Sequence, residues 1–329
     1  MKENWDRAHP ILDLRLDTLT DLVQPAFPGR TVVAAEVMTA GLANTNYKIA
    51  LSGRDEPVVV RVYTRDRTAC RKEAEIQHLI RDTVPIPEIL HADVEGERYE
   101  WPYTVTAWVD GVMLRHVLAQ GDGTAIRSAA HAIGVALAAI GSYTFARAGF
   151  FGPCLVVDQP MGQASAAWLS YMNAFLFHEG AGDRLGVALR DRVWRMAETG
   201  VHYVRAIDDA RSLVHSDFNA SNLLLRETHG AWTVAAVLDW EFAFVGSPLG
   251  DVGNMLRGDE VLSPVFEPAF IEGFVQGGGT LPPDWKRIAT LLDLLALCAF
   301  LTAPDVSGRR IADVTHLVEA TVRQWDTGR

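Results

Sequence analysis

In residues 213–251, LVHSDFNASNLLLRETHGAWTVAAVLDWEFAFVGSPLGD, two short apolar runs, 212–214 and 231–238, each end in a polar cluster. His215, Asp217, Asn219 and Asn222 follow the first run, and Asp239 and Glu241 follow the second. Strands that end in carboxylates and amides place acceptor oxygens at the mouth of a sheet, where an ion or a substrate can sit. Leu223-Leu224-Leu225 has the signature of a short buried strand, and residues 227–230 that of a hairpin turn into the next strand. Such a hairpin sets Asn222 and Asp239 side by side at the two strand ends. An amide oxygen beside a carboxylate is a hard-oxygen pair suited to Mg²⁺, which keeps several waters and leans on substrate phosphates. Asp217, five residues before Asn222, faces the same cavity from outside the metal shell, as a proton acceptor should. A single Asp or Asn at a strand end commonly caps a turn; three in register point to chemistry.

The order H-x-D-x-x-x-x-N, strand, turn, strand, Asp resembles the catalytic loop and metal-binding Asp of kinase-fold phosphotransferases. The wording HSDFNASNLLL and VLDWEFAFVGSPLGDVG is similar to that of the aminoglycoside phosphotransferase family, which includes macrolide, choline, fructosamine and homoserine kinases. Protein kinases carry Asp-Phe-Gly where this chain has Asp239-Trp240-Glu241, and an Ala-Pro-Glu that is absent here. Both departures favour a small-molecule kinase. Ser216 stands where the family more often has Gly. The resemblance implies an α+β, two-lobed, protein-kinase-like fold, with a small antiparallel-sheet N-lobe over residues 1–106 and a larger, mostly helical C-lobe over 107–329.

At 329 residues, 49% hydrophobic and 22% charged, the chain is long enough to bury two lobes. A net charge of −11 argues against nucleic acid or an anionic membrane as partner, and would help gather a cationic substrate. Cys70, Cys154 and Cys298 are scattered and form no C-x-x-C, so a reducing cytoplasm is expected, without a disulfide framework or zinc site. The first ten residues lack the apolar core of a signal peptide. Residues 291–301, the longest apolar run, are broken by Asp293 and are expected to form a buried helix, with no membrane partner.

Upstream, residues 11–24 show amphipathic helical spacing, stopped at Pro25. Segments 31–38, 46–51 and 58–63, a helix over 66–82, and a pair at 89–94 and 99–109 predict a small antiparallel sheet with one helix. The loop 40–46, with its single glycine, reads by itself as a polar turn. By the resemblance it covers nucleotide phosphates, with Asn44, Thr45 and Asn46 as donors. The same resemblance has Arg61 hold the α/β-phosphates, paired with Glu73. Glu75, two positions on, faces another side of the helix. Adenine would be read by the Ala107 carbonyl and the Val109 N–H, with Thr106 guarding the pocket, so ATP is expected and GTP is possible.

Helices are predicted over 113–119, 124–144, 163–179 and 184–207, with 150–159 an irregular link. Trp168, Tyr171, Phe175, Phe177, Trp194 and Tyr203 on the last two helices read as packing, while the resemblance makes this pair the wall of an acceptor site. Asp251 lies near the start of a helix predicted over 247–257, where a carboxylate suits free N–H groups; by the resemblance it and His215 brace the catalytic loop. Further helices are expected over 264–276, 283–301 and 309–326. Acidic residues Asp259, Glu260, Glu267 and Glu272 could collect a polyamine or form a solvated face.

The expected activity is transfer of the ATP γ-phosphoryl group, with Mg²⁺, to a hydroxyl of a small molecule. An aminoglycoside or related amino-bearing compound comes first, then a macrolide, amino sugar, choline or homoserine acceptor. A nucleotide-binding module without activity is disfavoured, because such a module needs no Asp217.

Overall fold

The computed structural model describes residues 5, 7, 10–39, 43–120, 122–258 and 263–327. An amphipathic helix α1 (Leu16–Val23) precedes strands β1 (Val32–Met38), β2 (Thr45–Leu51) and β3 (Val58–Val62). Helix α2 (Arg67–Ile80) begins where Asp66 accepts from the Thr68 N–H at 2.9 Å, an N-cap that satisfies one of the helix's open donors. Strands β4 (Ile89–Asp93) and β5 (Tyr103–Ala107) complete an antiparallel sheet of order β1-β2-β3-β5-β4.

Alternation sorts this sheet into two faces. Tyr47, Ile49, Val58, Val60, Val62, Tyr103 and Val105 join Leu19, Leu22 and Val23 of α1 in one core. The opposite face carries the cross-strand rows Asn46–Arg61–Thr104 and Lys48–Val59–Thr106. Arg61 therefore sits mid-sheet on the side turned away from that core.

Beyond the sheet come β6 (Val112–Met113), α3 (Leu114–Ala119) and α4 (Gly123–Gly141), then β7 (Gly149–Phe151), β8 (Val157–Pro160), α5 (Ala164–Phe177), α6 (Ala181–Leu185) and α7 (Val187–Val204). They are followed by β9 (Ser212–Val214), β10 (Leu223–Thr228), β11 (Ala231–Val237), β12 (Phe244–Gly246), α8 (Leu249–Leu256), α9 (Phe266–Gln276), α10 (Trp285–Ala299) and α11 (Gly308–Thr327). Their apolar faces share one large core, including Trp168, Phe218, Trp240, Phe266, Phe270 and Leu291. Helices α4 and α9 cross at touching backbones: a Cβ on Gly134 would lie 2.0 Å from the Phe270 carbonyl oxygen. Helix α4 is long and apolar enough to cross a membrane, yet half of it is buried against these neighbours.

Two small sheets position the polar clusters. One has the order β11-β10-β6, and the other β8-β7-β12-β9. The residues predicted as an irregular link form the β7–β8 hairpin instead, with Phe150 opposite Gln159. Its strands are too short and its turn too irregular for alternation to reveal it. The helix expected over 184–207 is also divided, since α6 ends at Gly186, a left-handed residue with φ 80°, before α7 begins.

Candidate active site

The hairpin of β10 and β11 brings the first two predicted ligands together. The Leu238 N–H donates to the Asn222 carbonyl at 2.9 Å, one step past the Leu223–Val237 pair. Asn222 and Asp239 thus occupy adjoining strand ends. Asn222 Nδ2 donates to the Asp217 carboxylate and to its carbonyl, both at 2.9 Å. Asn219 Nδ2 donates to the other Asp217 carboxylate oxygen, also at 2.9 Å. Two amides therefore fix the orientation of a buried carboxylate, whose lone pairs exceed the bonds these amides make.

His215 is enclosed beside Trp240, with ring centroids 4.5 Å apart. Its Nδ1 accepts from the Asp217 N–H at 3.2 Å, so the proton resides on Nε2, which lies 2.9 Å from the Leu238 carbonyl. The imidazole ties the loop holding Asp217 to the strand end holding Asp239. Asp251, fully buried in α8, accepts from the backbone N–H groups of His215 at 2.7 Å and Ser216 at 2.8 Å. Burial pushes its carboxyl up to about 7, against the lowering effect of those two bonds. Ser216 and Asp239 both adopt left-handed backbone, each with φ 68°.

Arg61 reaches across from the first sheet. Its Nη2 lies 2.7 Å from Asp239 Oδ1, 3.2 Å from Glu73 Oε1 and 4.0 Å from Glu241 Oε1. Burial would lower the guanidinium's pKa, but the carboxylates of Glu73, Asp239 and Glu241 outweigh it and hold it well above the usual value. Glu73 is buried and accepts from the Tyr63 hydroxyl at 2.6 Å; burial pushes it up to about 7 despite Arg61. Glu241, unassigned from sequence, accepts from Asn44 Nδ2 at 3.4 Å and lies 3.8 Å from Arg65 Nη1. Burial and neighbouring Asp239 raise its pKa. Its role as a bridge had one signal in the sequence, its place two residues after Asp239; Arg65 had none.

The other expected residues divide. Asn46 shares a face with Arg61, and its buried Oδ1 has no partner among the described residues. Thr45 turns its side chain to the opposite face, where its hydroxyl accepts from the Leu12 N–H at 3.1 Å, so only its backbone could face a phosphate. Residues 40–42 lie outside the described residues. Thr106 is on the Arg61 face of β5, and Ala107 closes that strand with its N–H donated to Glu88. Val109 follows Trp108, whose ring carries the Lys48 ammonium 3.9 Å from its centroid. Trp168 is core, with its indole N–H donated to Leu291. Asp259 and Glu260 lie outside the described residues, while Glu267 pairs with Lys286 at 2.7 Å.

A divalent ion fits this donor set. Asn222 Nδ2 is committed to Asp217, which leaves its amide oxygen to serve as a ligand, and Asp239 stands at the adjoining strand end. Among the described residues no group of three His, Cys, Asp or Glu gathers to hold a metal by itself. An ion held here would take its remaining ligands from phosphate oxygens and water, as Mg²⁺ commonly does.

A family model described as the phosphotransferase enzyme family matches residues 35–291. No curated protein matches the chain by sequence. Among solved structures, the chain is similar to aminoglycoside phosphotransferase APH(4)-Ia, at 18% identity and TM-score 0.69, over 94% of this chain and 99% of that one. It is also similar to APH(2")-IIia in its complex with GDP and kanamycin, at 17% identity and TM-score 0.71, again over 94% and 99%. A third, APH(2")-IIa in a ternary complex with streptomycin and ATP, is 14% identical with TM-score 0.62, over 95% and 99%. At these identities the likeness is one of fold: mixed helix and sheet in the kinase-like arrangement.

Proposed function

This chain belongs to the phosphotransferase enzyme family, and from that premise we propose that it transfers the γ-phosphoryl group of ATP to a hydroxyl of a small amino-bearing molecule, an aminoglycoside-type compound first. In this reading Asn222 and Asp239 hold Mg²⁺, which neutralises charge on the phosphates. Arg61 exchanges part of its carboxylate pairing for the α/β-phosphates, with Glu73 keeping it in place. Asp217 orients the acceptor hydroxyl and takes its proton. His215 and Asp251 hold the loop that carries Asp217, while Asn44, just before β2, and Asn46, early in that strand and beside Arg61, approach the phosphates. Phosphoryl transfer asks for positioning and charge stabilisation more than for covalent chemistry, which this set can supply.

The observation that carries the reading is the hydrogen bond between Leu238 and Asn222, which puts an amide and a carboxylate at one sheet mouth beside the oriented Asp217. The acceptor class draws support from similar structures solved with hygromycin B and AMP-PNP, with kanamycin and GDP, and with streptomycin and ATP. Either purine nucleotide is compatible with recognition by backbone alone. The test is incubation with ATP and Mg²⁺ against a panel of aminoglycosides, macrolides, amino sugars, choline and homoserine, read by product mass. A gain of one phosphoryl group on an aminoglycoside supports the reading. Nucleotide binding without a phosphorylated product from any acceptor overturns it.

A further inference from the structure

Helix α2 is held on two sides. Glu73 faces Arg61 of the first sheet and Tyr63, the residue after β3. Glu75 comes two residues later, roughly 200° further around the helix, and meets a different part of the chain. Its Oε2 accepts the Leu155 N–H at 3.2 Å, from the tip of the β7–β8 hairpin, while its Oε1 lies 3.8 Å from Arg71. The tip, Pro153–Leu155, has an unusual backbone. Cys154 has φ 59° and Leu155 φ 52°, two successive non-glycine residues in left-handed conformation. Side-chain sterics disfavour that arrangement, and it persists only where surrounding contacts over-determine it. Here the contacts are visible: the Gly152 N–H donates to the Val156 carbonyl at 2.8 Å, closing the turn, and the Leu155 N–H is thereby aimed at α2.

The hairpin is the edge of the sheet β8-β7-β12-β9. Strand β9 runs into His215 and Asp217, and β12 follows Asp239 and Glu241. The tip that grips Glu75 is therefore continuous, through a single sheet, with both polar clusters of the site. We infer that Glu75 and the Pro153–Leu155 turn are a positioning contact: they fix the rotation of α2 and so the place of Glu73 against Arg61. This rests on the reading of Arg61 and Glu73 as nucleotide-binding residues. Glu75 itself touches neither nucleotide nor acceptor in this account; it acts through the helix.

Two independent perturbations test the contact. E75A removes the acceptor, and KM for ATP is expected to rise about 10-fold, part of the worth of one hydrogen bond to a charged group, since the loss reaches the nucleotide only through α2. KM for the acceptor should stay within about twofold, and E75Q, which keeps an acceptor oxygen, should recover most of the loss. The second perturbation acts on the wild-type protein, with one conservative variant as its control. Cys154 is exposed and lines a gap of about 500 Å³ between the turn and α2, whereas Cys70 and Cys298 are buried. N-ethylmaleimide on the wild-type protein should place bulk in that gap and raise KM for ATP. The same reagent should leave KM for ATP in C154S where it was before treatment. A labelled wild-type enzyme with unchanged KM for ATP overturns the inference, as does a folded E75A with unchanged KM for ATP. If E75A does not fold, the labelling decides. A wild-type protein with no phosphotransferase activity would instead overturn the functional reading beneath it.

Discussion

Arg61 Nη2 stands 2.7 Å from Asp239 Oδ1, joining a strand of the first sheet to the end of β11 across 178 positions of sequence. The same guanidinium faces Glu73 and Glu241, so a single side chain balances three buried or half-buried carboxylates. Removing one member of such a cluster leaves uncompensated charge and is costly. R61A is expected to lower the melting temperature and to reduce kcat/KM for ATP by roughly 10²-fold, about 2.7 kcal/mol of lost stabilisation. Calorimetry and initial rates over a range of ATP concentrations measure both. Wild-type ATP kinetics in R61A would remove Arg61 from the nucleotide site.

Asp217 is oriented by two amides that donate to its two carboxylate oxygens. D217A should lower kcat by about 10²–10⁴-fold, the usual contribution of a general base. The dissociation constant for ATP should change little, because in the proposed function Asp217 does not hold the metal. Rapid-quench turnover and equilibrium nucleotide binding separate the two effects.

The raised carboxyl of Asp251 sets a pH dependence whose sign can be worked out. Burial raises its pKa to about 7 in the folded chain, whereas an unfolded Asp titrates near about 4. The folded state thus holds a proton that the unfolded state releases between those values. The group's contribution to stability is fully present below pH about 4 and is lost as pH rises to about 7. Asn carries no such charge, so the melting temperature of D251N relative to wild type should be more favourable at pH 8 than at pH 5. A difference independent of pH would contradict this assignment. Activity should still fall in D251N, since the amide's N–H₂ would face one of the two N–H groups that the carboxylate accepts.

Ser216 takes a left-handed backbone with φ 68°, a conformation that glycine adopts freely and other residues seldom do. S216G should leave stability within about 1 kcal/mol of wild type, because glycine adopts this conformation without strain but gains freedom when unfolded. S216V should lose more, a β-branched residue being a genuine outlier there. Thermal melts of the pair are sufficient. Equal stability of the two variants would mean that the loop relaxes out of this conformation.

What the sequence revealed and what it hid follow from range. The strands ending at Asn222 and Asp239 and the spacing of Asp217 were readable because each signal is local: an apolar run, a turn, a polar cluster. Arg61 stood out as a charge within a β-branched run. The β7–β8 hairpin was hidden because three- and four-residue strands carry too little alternation to register. The side of the sheet on which Thr45 falls depends on pairing register, and a shift of one residue reverses it. Glu241 and Arg65 meet across 176 positions, a relation with no local mark.

The proposition on which most depends is that Asn222 and Asp239 bind the same ion. Titration of Mn²⁺ into the ATP complex, followed by electron paramagnetic resonance, measures this for wild type, N222A, D239A and the double variant. Ligands of one shared ion couple, so each single change should weaken Mn²⁺ binding strongly and the second should add little. Losses that simply add, or Mn²⁺ binding retained when both residues are replaced, would show that the two strand ends do not share a cation.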